Sequence, residues 1–155
     1  GLLNVGEPMA PPLIRKTKKS IDRGRTVIID APPGTSCPVV ESVKGADFCV
    51  LVTEPTPFGL NDLTLAVEMV RKLGVPIGVV INSCTIGNSE VEDYCGRERI
   101  PVLMRLPWDR RIAEQYSAGR LLLKNLPEYA EHFSTLYQSI HTEMAAYEAT
   151  HCHQR

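Results

Sequence analysis

Thr26–Cys37, TVIIDAPPGTSC, is the stretch whose reading decides the fold. Thr26 to Ile29 is a run of β-branched residues that reads as a buried strand, and Asp30 ends it. The turn that follows cannot be helical. Pro32 and Pro33 remove two backbone donors, and Gly34 frees the backbone to approach a ligand closely. An acid at the carboxyl end of a parallel strand, then a glycine loop, then a helix start, suits a phosphate–Mg²⁺ site. A plain strand-to-helix turn with an N-capping Asp suits the same residues.

Working outward, Gly1–Pro12 reads as irregular, and Leu13–Arg23 as a basic helix with a solvated face. Beyond the opening motif, Pro38–Ala46 makes a short helix with a proline in its first turn. Phe48–Thr53 is a continuous apolar run, as in a strand covered on both faces. Leu60–Gly74 is the clearest amphipathic helix: Leu60, Leu63, Val67 and Val70 recur at helical spacing and Gly74 stops it. Val75–Asn82 gives another buried strand, Ser89–Arg99 a polar helix, and Pro101–Leu106 a further strand closed by Pro107. Asp109 caps a helix through Tyr116. A long helix runs from Pro127 to about Ala149, with Tyr129, Phe133, Leu136, Ile140, Met144 and Tyr147 on one face. Strands alternating with helices predict an α/β fold, a mostly parallel doubly wound sheet with ligands at the carboxyl ends of its strands.

Composition narrows the classes. A chain of 155 residues supports one domain with a real core. Hydrophobic residues at 43% and charged residues at 23% are ordinary for a globular domain. The net charge of −1 gives no electrostatic argument for nucleic acid or an anionic membrane surface. No apolar run reaches the roughly 20 residues of a bilayer span, and no signal peptide is visible. Five cysteines without framework spacing point to thiols in a reducing cytoplasm.

Asp-x-Pro-Pro-Gly-Thr after a hydrophobic strand resembles the switch II/Walker B segment of MinD/ParA-type P-loop ATPases. TEPTPFGLNDL at Thr53–Leu63, GVVIN at Gly78–Asn82 and IPVLMRLPWD at Ile100–Asp109 follow in that family's order. The subgroup most similar carries an inserted ferredoxin domain and is related to the nitrogenase iron protein. The likeness covers roughly the first four fifths of the chain. No GxxxxGK[ST] loop occurs: Gly1 and Gly6 have its spacing, but Glu7 and Pro8 stand where Lys and Ser/Thr are required. The Cys-x-x-Cys runs of a ferredoxin insert are also missing. The resemblance therefore implies the C-terminal portion of a larger ATPase, with residues 1–149 belonging to one nucleotide-binding domain and 150–155 a disordered tail.

It further implies ATP and Mg²⁺ as ligands, a homodimer formed around them, and an iron–sulfur or redox protein as partner. Asp30 is expected to orient the water shell of Mg²⁺, because a hard cation needs oxygen ligands and keeps most of its waters. The Gly34 amide would face the γ-phosphate, with Pro33 and Thr35 beside it; Thr35 and Ser36 also suit helix capping. Asn82 ends a strand at the rim, where its amide offers adenine a donor and an acceptor. Pro107, Trp108 and Asp109 would line the base edge, and Trp108 serves equally to cover the end of the sheet. Thr53, Glu54, Pro55 and Asp62 match positions that face the second subunit in family dimers.

Cys37, seven positions after Asp30, matches a cysteine that binds a shared iron–sulfur cluster in the nitrogenase iron protein, though it also reads as a buried small hydrophobe. Cys49 reads as core, and His151–Cys152–His153 as a frayed end rather than a metal cluster. Two rivals stand beside the ATPase reading. One is a catalytically silent interaction module that keeps the sheet and the dimer surface. The other, an amidotransferase-linked synthetase of the cobyrinic acid type, lacks a convincing glutaminase Cys–His pair. In the family, the P-loop strand lies between the strands matching Thr26–Asp30 and Phe48–Thr53. Its absence predicts a gap closed by direct pairing of those two strands or by a strand from another chain.

Overall fold

A computed structural model describes residues 10–22 and 24–151 of the chain. The order of elements is α1 (Ala10–Lys18), α2 (Cys37–Val43), β1 (Cys49–Thr53), α3 (Pro57–Lys72), β2 (Ile77–Ile81), α4 (Glu90–Glu98), β3 (Val102–Arg105), α5 (Arg110–Ser117), α6 (Leu122–Asn125), a 3₁₀ turn (Pro127–Tyr129) and α7 (Ala130–His151). The strands form one parallel sheet in the order β1-β2-β3, with Thr53 opposite Ile81 and Ile81 opposite Arg105. Helical crossovers put all three carboxyl ends on one edge. This is the expected α/β architecture, a parallel sheet flanked by helices.

Burial explains why these segments take these forms. Leu63, Val67 and Val70 on α3 are at most 3% exposed and pack on Leu51, Val79 and Ile81 of the sheet. Each such side chain contributes on the order of 1.5–3 kcal/mol of burial. From the other side of α3, α4 closes the core with Val91, Tyr94 and Cys95, while Val39 and Val43 of α2 join Val70 and Val75. β2, the central strand, is buried from Gly78 to Ile81. On α7 the half-buried positions Phe133, Leu136, Ile140, Met144 and Tyr147 form the expected stripe, and Tyr129 just before it is buried. No described helix is long and apolar enough to cross a membrane.

Several expectations are corrected. Thr26–Asp30 is not a strand: among the described residues it pairs with no other segment, and Val27, Ile28 and Ile29 are 43%, 90% and 38% exposed. β-Branched residues favour the extended backbone, but a strand exists only through a partner's hydrogen bonds, and β1 does not reach it. Direct pairing of the two segments is thereby overturned. The Thr26 and Tyr137 hydroxyls meet here at 3.1 Å. β1 is an edge strand rather than one covered on both faces, with Val52 67% exposed.

Ala10, Pro11 and Pro12 are helical, since prolines sit well in a first turn, where their missing N–H groups have no helical acceptor. Residues 1–9 lie outside the described part. α1 ends at Lys18 instead of continuing to Arg23, and its basic residues are not all solvated. The Lys18 ammonium donates to the carbonyls of Glu41, Ser42 and Lys44 at 3.1, 2.9 and 2.6 Å, capping the C-terminus of α2. α7 continues to His151, beyond the boundary expected at residue 149, so Thr150 is helical; residues 152–155 lie outside the described part.

Candidate functional site

The carboxyl edge of the sheet is where the loops after β1, β2 and β3 meet. The Asn82 N–H donates to the Thr53 carbonyl at 2.7 Å, and the Leu106 N–H to the Ile81 carbonyl at 2.9 Å, so the ladder carries on one residue past each strand. The Cys84 N–H then reaches the Leu106 carbonyl at 2.9 Å, and the Trp108 N–H the Thr85 hydroxyl at 3.1 Å. These bonds fix Asn82 and Trp108 relative to each other.

Close packing fixes the loop after β1. The Thr53 hydroxyl donates to the Gly59 carbonyl at 2.9 Å. A Cβ on Gly59 would fall 2.2 Å from the Glu54 carbonyl oxygen, and one on Gly87 (φ +134°) 2.0 Å from that of Pro55. Only glycine allows the backbone to approach this closely from both sides. Thr53 and Pro55 are therefore interior residues of this loop, while Glu54 and Asp62 are exposed.

Between the second and third loops and α5 lies a cavity of about 270 Å³, lined by Asn82, Ser83, Pro107, Trp108, Asp109, Ile112, Ala113 and Tyr116. It is a little smaller than usual ligand pockets of about 300–1,000 Å³, a size for one ring system. Two large aromatic residues stand at it, Trp108 56% and Tyr116 86% exposed, and among the described residues their rings do not touch. A larger cavity of about 390 Å³ sits at the opposite edge, between Val75, Pro101 and Tyr147. It is at the amino ends of the strands, away from the edge where open α/β sheets take ligands.

Asp109 lines the cavity but its carboxylate is committed elsewhere. It caps α5 by accepting from the Arg111 N–H at 2.8 Å, and Oδ2 accepts from Arg111 Nη2 at 2.6 Å and the Tyr129 hydroxyl at 2.8 Å. The bonds from Arg111, then the one from Tyr129, hold its carboxyl far below the usual carboxylate range. Donation to that carboxylate pushes the Tyr129 phenol up, and the same pairing pushes the Arg111 guanidinium up. Arg111 also reaches Glu128 at 2.9 Å.

Of the expected site residues, Asn82, Pro107, Trp108 and Asp109 come together at this cavity. The Asp30–Cys37 loop is separate: among the described residues no hydrogen bond or ion pair joins Asp30, Pro33, Gly34, Thr35 or Cys37 to the Asn82 rim. Asp30 is exposed. Gly34 has φ +87° with no protein atom within 4 Å of a notional Cβ, so the left-handed turn itself calls for glycine here. Ser36 is the N-cap of α2, but its hydroxyl makes no capping bond, and Thr35 makes none either.

Cys37 is exposed, contrary to its reading as a buried hydrophobe. Cys49 is half-buried and Cys95 buried, and burial pushes both thiols up. No group of three or more His, Cys, Asp or Glu among the described residues is placed to hold a metal ion. The Cys152 and His153 side chains lie outside the described part. The sequence reading missed Ser83, Ile112, Ala113 and Tyr116 as lining residues. The signal for the last three was present, since Asp109, Ile112, Ala113 and Tyr116 share one face at helical spacing.

Comparison with known proteins shows the family. The chain is 33% identical over 135 residues to an uncharacterised protein of Methanocaldococcus jannaschii, covering 84% of this chain and 47% of that protein. It is 31% identical over 120 residues to a protein of Anopheles gambiae named as a cytosolic Fe–S cluster assembly factor, a Nubp2 homologue, covering 66% of this chain and 46% of that one. The corresponding Aedes aegypti protein is 30% identical over 138 residues, 77% of this chain and 52% of its own. The chain thus spans about half the length of the curated relatives it matches. The family profile described as NUBPL iron-transfer P-loop NTPase runs over residues 8–145, from before α1 into the last turns of α7, and with that match the chain belongs to the ParA family of P-loop NTPases.

Proposed function

We propose that the protein is an ATP–Mg²⁺-binding ATPase of the MinD/ParA type that dimerises around its nucleotide, works in the cytoplasm and serves iron–sulfur or redox chemistry. The observation that carries this reading is the cavity at the carboxyl edge, with the Asn82 amide and the exposed Trp108 ring at one ring-sized space. Asn82 reads the edge of the base, and Trp108 with Pro107 covers its face. Asp109 shapes the wall while its charge stays with Arg111 and Tyr129.

The fit to Mg²⁺ rests on Asp30. Its carboxylate is exposed and has no hydrogen-bond or ion-pair partner among the described residues, which suits an acid that binds the water shell of a hard cation. When bound, the ion neutralises phosphate charge. Gly34, with Pro33 and Thr35, holds the loop whose amide meets the terminal phosphate. A cluster is different. Cys37 stands as the one exposed cysteine among the described residues, so a single chain offers one thiolate there, and the iron–sulfur link is proposed through a partner protein.

The rival reading, a catalytically silent interaction module, is favoured by one observation. Among the described residues no hydrogen bond or ion pair ties the Asp30 loop to the Asn82 rim. Asp30→Ala in the full-length protein separates the two. Phosphate release should fall about 10–100-fold, the usual loss when a group that supports a metal is removed, while ATP affinity changes little. No hydrolysis by the parent would favour the silent module, whereas equal, measurable hydrolysis by variant and parent at saturating Mg²⁺ would take Asp30 out of the metal site.

A further inference from the structure

Glu54 and Asn82 each follow the last residue of neighbouring strands, and the register that sets Thr53 opposite Ile81 makes them neighbours in turn. Glu54 Oε1 accepts from Asn82 Nδ2 at 3.3 Å and from the Ser83 hydroxyl at 3.3 Å. Ser83 is buried and takes φ +54°, the left-handed region, which turns the chain at this point. The backbone that carries Glu54 has little freedom, because Gly59 and Gly87 press on the Glu54 and Pro55 carbonyls from either side.

An amide can be turned over, exchanging its oxygen and nitrogen, and packing alone rarely decides which way it lies. Here chemistry decides. A carboxylate only accepts, so the Asn82 end that meets Glu54 must be the NH₂ group. The reversed amide would set oxygen against oxygen. With Nδ2 held, Oδ1 is left as the acceptor for whatever occupies the cavity that Asn82 lines.

We propose that Glu54 is a positioning residue that sets base specificity through Asn82. Resting on the reading of the cavity as a base site, the fixed Oδ1 matches the exocyclic amine of adenine and opposes the carbonyl that guanine carries at that position. The amide thus reads a donor, and a purine with an acceptor there leaves two lone pairs facing each other.

Glu54→Gln tests this in the full-length protein. Glutamine keeps the shape of Glu54, but its own amide can accept or donate, so Asn82 is free to turn over. The ratio of the GTP and ATP dissociation constants, measured with unhydrolysable analogues, should fall about three- to tenfold, mainly because GTP binds more tightly. Asn82→Ala should lower the same ratio, and adding Glu54→Gln to it should lower it no further. A merely structural Glu54 would change both affinities together and leave the ratio alone. A parent that prefers ATP with an unchanged ratio in Glu54→Gln overturns this proposal and leaves the base site standing. A parent that binds neither nucleotide overturns the base site, and this proposal with it.

Discussion

At the residue scale, Asp109 shows how one carboxylate lines a cavity while its charge is committed to neighbours. Its bonds to Arg111 and Tyr129 tie the start of α5 to the 3₁₀ turn before α7, and so steady Trp108 next to it. Because the folded state holds this carboxyl below its unfolded value, its contribution is present above that value, near pH 4, and is lost progressively as the pH falls below it. Fluorescence of Trp108, the sole tryptophan, should therefore report a loosening of the cavity below about pH 4. In Asp109→Asn that acid step should shrink, and an identical titration in the variant would refute the assignment. The sequence made Asn82, Trp108 and Asp109 legible, since Asn82 follows a strand, Asp109 caps a helix and Trp108 lies in the short loop before that cap. It did not reveal the partners Glu54, 28 residues before Asn82, or Tyr129, 20 residues after Asp109, because such bonds depend on strand order and helix placement.

At the scale of elements, α3 holds the sheet together and its parts differ sharply in weight. Leu63 is 3% exposed at the centre of the core, and Leu63→Ala should cost about 2–5 kcal/mol. Thr56 caps the helix by accepting from the Gly59 N–H at 3.0 Å, and Thr56→Ala should cost about 0.5–2 kcal/mol. Phe58, in the same first turn but 86% exposed, should change stability by less than about 0.5 kcal/mol when truncated to Ala. Urea unfolding of the three variants checks the order, and a Phe58→Ala loss as large as that of Leu63→Ala would contradict this packing. α3 and β2 could be read from their periodicity because local pattern and tertiary burial agree there. Thr26–Asp30 has the same apolar character but no strand beside it, so its pattern was right and its pairing wrong. α6 is four residues long and carries no periodic signal at all.

At the scale of the whole molecule, the sheet stops at β1. Among the described residues β1 pairs only with β2, which leaves its other edge with unpaired amides and carbonyls beside Val52. The extended Val27–Ile29 run adds a second apolar surface, with Ile28 90% exposed. A long apolar edge of this kind is a template for another strand. Water satisfies these backbone groups at the open edge, so a partner strand gains chiefly by burying the apolar side chains beside it. With direct pairing between these two stretches excluded, a strand from outside the described residues is the remaining way to cover both. The 155-residue chain alone should therefore self-associate or precipitate at micromolar concentration. Lys substitution at Val52, which sets a charge on the open strand, should reduce that association while leaving the α3 core intact. Sedimentation velocity decides the matter together with amide exchange. A stable monomer, with fast exchange in Val27–Ile29 and Val50–Val52, would show that the edge tolerates water and recruits nothing.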